Sequence, residues 1–147
     1  PLRSRRDMEA LIEGLKNGTM DVISTDHAPH SEEEKRKPIA ESPFGITGLE
    51  TSLCLTYTEL VLKGVLTPMQ MVEKMSYNPA KIIGIDRGTL MPGAVADVTI
   101  MDPEWEFVID RNEFVSMGHN TPFDGRTVKG RVVTTIVNGE IVYRENR

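Results

Sequence analysis

Residues 25–30, Thr-Asp-His-Ala-Pro-His, bring one carboxylate and two of the three histidines of the chain into a single hexapeptide. Zinc and related divalent metals accept both kinds of ligand, and the same groups can act as general bases. A simpler interpretation is a turn in which Asp26 caps backbone amides and Pro29 fixes the loop. The hexapeptide therefore predicts either a metal or acid–base site, or a purely structural turn.

The elements before the hexapeptide suggest how it is positioned. Val22 and Ile23 form an apolar run that predicts a short buried strand over residues 21–24. Further upstream, Ser4 and Asp7 indicate a helix start with a capping box, and Gly18 indicates its end. A helix followed by a strand would place the hexapeptide at a strand's carboxyl end, where α/β barrels carry their chemistry.

The sequence after the hexapeptide begins as a long loop, residues 25–47, whose charge run at 32–37 we expect to be solvated surface. Three helices are then predicted, at about 48–62, 68–76 and 79–83, with Leu49 facing inward in the first. Thr67-Pro68 and Asn78-Pro79 each have the pattern of a helix cap followed by proline.

The pattern changes to short β-like runs beyond residue 84, at 96–101, 105–109 and 128–137. Asn138-Gly139 predicts a two-residue hairpin turn into a last strand at 140–143. That register pairs Ile136 with Ile141 and Thr134 with Tyr143. We therefore divide the chain into a helix-rich portion, 1–84, and a sheet portion, 85–147.

Composition narrows the functional classes. A closed (β/α)8 barrel takes about 250 residues, so this chain of 147 cannot contain one. A net charge of −5 without a basic stripe argues against nucleic acid as a partner, and no long apolar run predicts a membrane span. The single cysteine, Cys54, cannot form an internal disulfide and fits a reducing compartment such as the cytoplasm.

Two separated motifs carry a specific resemblance. The hexapeptide and residues 43–51, Pro-Phe-Gly-Ile-Thr-Gly-Leu-Glu-Thr, resemble the last barrel strand and the substrate-contacting loop of the dihydroorotase group in the amidohydrolase superfamily. Weaker motifs typical of the superfamily as a whole lie at 78–80, 88–93, 120–123 and 137–139. The resemblance implies an α/β fold: the C-terminal portion of a metal-dependent (β/α)8 TIM barrel in 1–84, and the C-terminal strands of a small β-sandwich in 85–147.

The resemblance also implies an activity, the reversible, zinc-dependent hydrolysis of dihydroorotate to N-carbamoyl-L-aspartate in pyrimidine biosynthesis, with one or two zinc ions. Asp26 would bind a metal and carry a proton from the attacking water to the leaving nitrogen. His30 would bind the substrate carboxylate through a charge-assisted hydrogen bond. Phe44 and Gly45 would contact the amide edge of the ring through backbone groups, which approach closely where a residue has no Cβ.

The other candidate residues are expected to have structural roles. His27 is not a ligand in the family and is expected to bond to backbone. Cys54 is expected in the core, Glu50 in the first turn of a helix, and His119 in a surface turn.

A zinc hydrolase needs three or more protein ligands, yet the 147 residues contain no His-x-His pair of the kind the family carries on its first barrel strand. We therefore expect this chain to be the C-terminal part of a longer enzyme and inactive alone. Unpaired strand edges are expected near 98–100 and 132–136. The partners implied are the missing N-terminal part and a second copy in a homodimer, with aspartate transcarbamoylase as a further option.

Two rival functions stay open. One is another cyclic-amide hydrolase, allantoinase or dihydropyrimidinase; these have no need of a cation such as His30, because their substrates lack the exocyclic ring carboxylate. The other is an inactive dihydroorotase-like subunit that scaffolds a transcarbamoylase, since such homologues lose metal histidines outside this segment.

Overall fold

The computed structural model describes residues 3–145 as an α/β structure in which helices precede a small sheet. The helices are α1 Arg5–Asn17, α2 Glu32–Lys35, α3 Ser52–Thr56, α4 Pro68–Val72 and α5 Asn78–Ile83. The strands are β1 Val98–Val108, β2 Thr127–Val137 and β3 Glu140–Arg144. π-helical turns follow α3 (Tyr57–Val61) and α4 (Glu73–Tyr77), and a 3-10 turn lies at Arg111–Glu113. No helix within residues 3–145 is long and apolar enough to cross a membrane.

The first helix confirms its predicted ends. The Ser4 hydroxyl accepts from the Asp7 amide, and the Asp7 carboxylate accepts in return from the Ser4 amide. At the other end Gly18 adopts φ +81°, a left-handed conformation that glycine enters without steric cost. Local sequence alone therefore determines both ends of α1.

The predicted strand at residues 21–24 is wrong: this segment belongs to none of the described strands. Its backbone bonds to a helical segment instead, with Ile23 N donating to the Lys74 carbonyl at 3.1 Å. The Asp21 carbonyl accepts from Asn78 Nδ2 at 2.9 Å. A strand needs a neighbouring strand to pair with, and within residues 3–145 none lies beside this run.

The central helices differ from prediction at their boundaries. α3 begins at Ser52, four residues later than expected, and leaves Leu49 61% exposed rather than inward. Asn78 is not a cap, because Tyr77 before it already has helical angles and the chain stays helical from Pro68 to Ile83. In the π-helical pattern residue 79 would donate to the Lys74 carbonyl; Pro79 has no N–H, and Ile23 supplies that bond.

The sheet is antiparallel with order β1-β2-β3. Residues 98–108 form one irregular strand, where two separate runs were predicted. The expectation of unpaired edges is wrong for 132–136, which lies in the central strand β2 between β1 and β3. Val98 to Ile100 pair with β2 on one side, and within residues 3–145 β1 is an outer strand with no second neighbour, so an edge does lie at 98–100.

The hairpin turn is confirmed by positive φ at Asn138 (51°) and Gly139 (82°), as a two-residue turn of this kind requires. Ile136 pairs with Ile141 as predicted. Tyr143, however, pairs with Thr135 rather than Thr134, because a bulge interrupts the ladder next to the turn.

The core lies between α3 and the sheet. Cys54, expected in the core, is 4% exposed and packs with Ile109 and Val128, which are 3% and 1% exposed. Partly buried apolar side chains cover this cluster: Leu55, Phe107, Phe114 and Phe123. The connection between β1 and β2 lies against the loops that follow the hexapeptide, where the Thr47 hydroxyl donates to the Gly118 carbonyl at 2.8 Å.

Candidate functional site

The hexapeptide and the 43–48 segment lie side by side. His27 and Ile46 form an isolated parallel bridge, and the Ala28 amide donates to the Ile46 carbonyl at 2.9 Å. Just before the bridge, Asp26 adopts φ +44°, a left-handed angle that aspartate tolerates better than most residues. Its side chain is exposed, which leaves the carboxylate accessible.

His27 has the structural role expected for it. Its Nδ1 accepts from the amides of Gly48 and Leu49, both at 3.2 Å. In the neutral ring this leaves the proton on Nε2. The imidazole therefore ties the hexapeptide to the end of the 43–48 segment.

His30 contacts the loop that the resemblance assigns to substrate. Its Nε2 lies 3.0 Å from the Phe44 carbonyl, and because a carbonyl only accepts, the ring nitrogen is the donor. Its Nδ1 lies 3.7 Å from a Glu34 oxygen. Hydrogen bonds from Ser31, with a smaller contribution from the nearby imidazole, lower the pKa of Glu34, so a carboxylate faces this ring.

Phe44 and Gly45 occupy the predicted loop in contrasting ways. The Phe44 side chain is 90% exposed, so only its carbonyl is engaged with His30. Gly45 has φ +112°, and a Cβ there would lie 2.4 Å from the Ala28 Cβ. Only glycine fits this backbone conformation and this spacing.

Lys35 holds the same loop, although the charge run around it predicted solvated surface. The side chain is half-buried, and Nζ donates to the carbonyls of Pro43 and Gly45, each at 2.8 Å. The prediction for the run is therefore wrong at Lys35. The capping box of Ser31 and Glu34 builds the helical turn α2 that presents this lysine.

Asn120 connects both loops. Its Nδ2 donates to the Gly45 carbonyl at 3.1 Å, while its Oδ1 accepts from the His30 amide at 3.2 Å. Its own carbonyl accepts from the amide of Thr47, a residue with no exposed surface, at 2.8 Å. The only signal in the sequence was the weak motif at 120–123, which gave no reason to connect Asn120 with residues 73 to 90 positions earlier.

Glu50 and His119 also differ from expectation. Glu50 lies before α3 and accepts from the amides of Val115 and Ser116 at 2.9 and 3.1 Å, so it anchors a distant loop rather than a helix turn. His119 is half-buried and lines a pocket of about 260 Å³. The pocket is formed by His30, Glu32, Lys35, Arg36, Arg111, His119 and Asn120.

A zinc centre is not assembled by these residues alone. Within residues 3–145 no three His, Cys, Asp or Glu side chains come close enough to hold a metal ion. An exposed carboxylate such as Asp26 is a ligand that zinc accepts, but three or more protein ligands are needed. The described part of the chain therefore supplies at most a fraction of such a site.

Comparison of this sequence with known proteins finds similarity to dihydroorotases along nearly the whole chain. Dihydroorotases from Pelotomaculum thermopropionicum and a Thermoanaerobacter strain are 54% and 52% identical to this chain over 145 and 147 residues. The chain spans 34% of the length of each of these relatives.

Among solved structures, an L-hydantoinase (dihydropyrimidinase) from Arthrobacter aurescens matches all of the chain, with a TM-score of 0.90 and 36% identity. A dihydropyrimidinase from Brevibacillus agri matches 98% of it, with a TM-score of 0.91 and 29% identity. The chain covers 34% and 32% of those two chains. The amidohydrolase family pattern matches residues 2–142, and this chain belongs to that family.

Proposed function

We propose that this chain supplies one side of the active site of a dihydroorotase, an enzyme that interconverts dihydroorotate and N-carbamoyl-L-aspartate. The observation that carries the proposal is the contact between His30 and the Phe44 carbonyl. It joins an imidazole, which can carry a positive charge, to a loop that has no side chain at Gly45 to keep a ligand away from its backbone. Dihydroorotate has the complementary pair of features, an exocyclic carboxylate and a cyclic amide.

Each predicted site residue has a role in this proposal. His30 binds the substrate carboxylate through a charge-assisted hydrogen bond, for which the ring must exchange its contact with Phe44 for one with substrate. The backbone at Phe44 and Gly45 binds the amide edge of the ring. Asp26, exposed on the adjoining turn, takes a proton from the attacking water and passes it to the ring nitrogen that leaves.

Zinc belongs to the proposal as a group to which this chain contributes Asp26. One or two zinc ions, when bound, would polarise the amide carbonyl and lower the pKa of water. The remaining ligands would come from residues outside this chain, in keeping with its span of about a third of its relatives.

The architecture proposed for the complete protein follows the same logic. Residues 1–84 would complete a (β/α)8 barrel and 85–147 a small β-sandwich, and the barrel's other strands would give residues 21–24 the neighbours they lack here. A homodimer, association with aspartate transcarbamoylase and a cytoplasmic location are parts of the same proposal. The lone thiol of Cys54 supports that location.

The test is hydrolysis by the complete protein of three cyclic amides in parallel: dihydroorotate, dihydrouracil and allantoin. We expect turnover of dihydroorotate in preference to the other two. Equal or better turnover of dihydrouracil or allantoin would refute the assignment.

A hydantoinase or dihydropyrimidinase is the second candidate, and the close structural match to such enzymes favours it. The first candidate has stronger support, because identity is 54% to a dihydroorotase and 36% to the hydantoinase. Absence of activity on all three substrates would instead favour a scaffolding subunit.

A further inference from the structure

The loop at residues 43–45 is held by its carbonyl groups rather than by its side chains. Lys35 Nζ donates to the carbonyls of Pro43 and Gly45. Asn120 Nδ2 donates to the Gly45 carbonyl as well, and His30 Nε2 donates to that of Phe44. The carbonyls of three consecutive residues therefore each accept a hydrogen bond from a side chain of this chain.

These contacts also determine where the loop's amides point. The peptide bonds here are trans, and in a planar trans peptide the N–H points opposite to the carbonyl. With the Phe44 carbonyl turned to His30, the Gly45 N–H faces the other way. The Ile46 N–H is not free for substrate, because the parallel bridge with His27 pairs the Ile46 backbone with the hexapeptide.

Asn120 couples this orientation to His30. The same side-chain amide that donates to Gly45 accepts the His30 N–H through Oδ1. Next to it, a Cβ on Gly118 would lie 2.9 Å from the His30 nitrogen, so the chain around Asn120 is packed closely against His30. A movement of Asn120 would therefore change the position of His30 and of the Gly45 peptide together.

We propose that Lys35 and Asn120 are positioning residues, a carbonyl clamp that holds the Pro43 and Gly45 carbonyls on either side of Phe44 and so keeps the Gly45 amide aimed at the cyclic amide of the substrate. The inference rests on the proposed function, because it requires that loop 43–46 bind the ring. The clamp does not contact substrate itself. It keeps the loop in place when His30 exchanges its contact with Phe44 for one with substrate, so that substrate does not have to order the Gly45 peptide.

Two variants of the complete protein test the clamp. Lys35→Met keeps most of the length of the side chain and removes its donor. Asn120→Asp keeps the acceptor for the His30 amide but replaces the donor to Gly45 by a carboxylate oxygen. Lys37→Met is the matched control, since Lys37 lies in the same charge run and is exposed.

Loss of preorganised binding raises KM more than it lowers kcat. We expect KM for dihydroorotate to rise about tenfold in Lys35→Met and by more in Asn120→Asp, with kcat within about threefold of the wild type. Inhibition by dihydrouracil, which shares the ring amide but lacks the carboxylate, should weaken by the same factor. A His30 variant should instead weaken the binding of dihydroorotate selectively, and Lys37→Met should leave the binding of both compounds unchanged.

Hydrogen exchange of segment 43–48 is measured on the same samples. Faster exchange in both clamp variants, together with the KM rise, supports the proposal. Faster exchange with an unchanged KM would show that Lys35 and Asn120 only anchor the loop, and would overturn the proposal. Unchanged exchange in the two variants would overturn it as well. A wild-type protein inactive on all three cyclic amides would refute the proposed function, and the exchange data would then show the clamp as an anchor only.

Discussion

The site loops and the sheet of this chain are held together in different ways. The sheet has long antiparallel ladders, interrupted at a few bulges, and a core around Val128 that is almost fully closed to solvent. The loops at 25–30 and 43–48 share a single bridge, between His27 and Ile46, and depend on separate polar contacts from Lys35, Asn120 and His27. Apolar burial makes the sheet stable, while a few hydrogen bonds give the loops their shape. Substitutions in the two regions should therefore affect different measurements.

The largest effect on activity should come from Asp26→Asn in the complete protein. Asparagine accepts the positive φ of this position and keeps the size of the side chain, but it cannot take a proton. We expect kcat for dihydroorotate to fall about 1,000-fold, the middle of the range for losing a general acid–base group. The melting temperature should hardly change, because the carboxylate is exposed.

Asp21→Asn is the control for that variant, since Asp21 is also exposed and its hydrogen bond with Asn78 uses only the backbone carbonyl. Retention of more than a tenth of wild-type kcat in Asp26→Asn would remove Asp26 from the chemistry. It would also contradict the expected difference between the two regions, in which substitutions in the loops affect activity and substitutions in the sheet affect stability.

Gly45→Ala should have the next largest effect, because it combines strain with a clash. The new Cβ would lie 2.4 Å from the Ala28 Cβ at a φ of +112°. We expect kcat/KM to fall about 100-fold as the loop moves away, which corresponds to a loss of about 3 kcal/mol in transition-state binding. Steady-state kinetics on the complete protein measure it.

Gly93→Ala is the control that separates backbone strain from the clash with a neighbouring atom. Gly93 has φ +90°, yet nothing lies within 4 Å of a Cβ built there. The control should therefore show the strain in its melting temperature without the kinetic loss. Similar kinetics in both variants would mean that the close approach to Ala28 is unimportant for function.

His30→Asn should change specificity rather than overall activity. Losing a charge-assisted hydrogen bond to the substrate carboxylate should lower kcat/KM for dihydroorotate by about 10- to 100-fold. Activity on dihydrouracil, which has no such carboxylate, should change by less than threefold. An equal loss on both substrates would show that His30 acts only by holding the Phe44 carbonyl.

The sequence predicted local features well and distant contacts poorly. The ends of α1, the Asn138-Gly139 turn and the buried Cys54 were all predicted, because capping, turn chemistry and apolar spacing act within a few residues. The supposed strand at 21–24 failed for the opposite reason, since a strand exists only with its neighbours. The grouping of Lys35 with Asn120 could not be predicted, because it depends on a contact between residues 85 positions apart.

Val128→Ala tests the sheet side of the comparison. Val128 is 1% exposed, and removing two carbons from so closed a position should cost about 2 kcal/mol of folding free energy. Denaturant unfolding measures that cost, and kcat of the folded fraction should stay within twofold of wild type. Val142→Ala, at 61% exposure on β3, is the matched control and should change stability by less than about 0.5 kcal/mol.

The smallest effect should come from Asp97, through the dependence of the folding stability on pH. A hydrogen bond from the Asn138 amide at 2.7 Å, followed by an ion pair with Arg87, lowers the pKa of Asp97 below its ordinary value of 3.8. A carboxyl with a lowered folded pKa stabilises the fold above its ordinary pKa, and this stabilisation is lost as the pH falls through the lowered value.

Asp97→Asn should therefore reduce stability slightly at neutral pH and leave it unchanged once the pH is below both values. Thermal unfolding of the complete protein from pH 7 to pH 2 measures this as a gap that closes in acid, while kcat/KM at neutral pH stays unchanged. A gap that persists at low pH would mean that Asp97 supports the hairpin turn by its shape rather than its charge. A fall in kcat/KM would mean instead that the sheet and the site loops are coupled more closely than their separate contacts indicate.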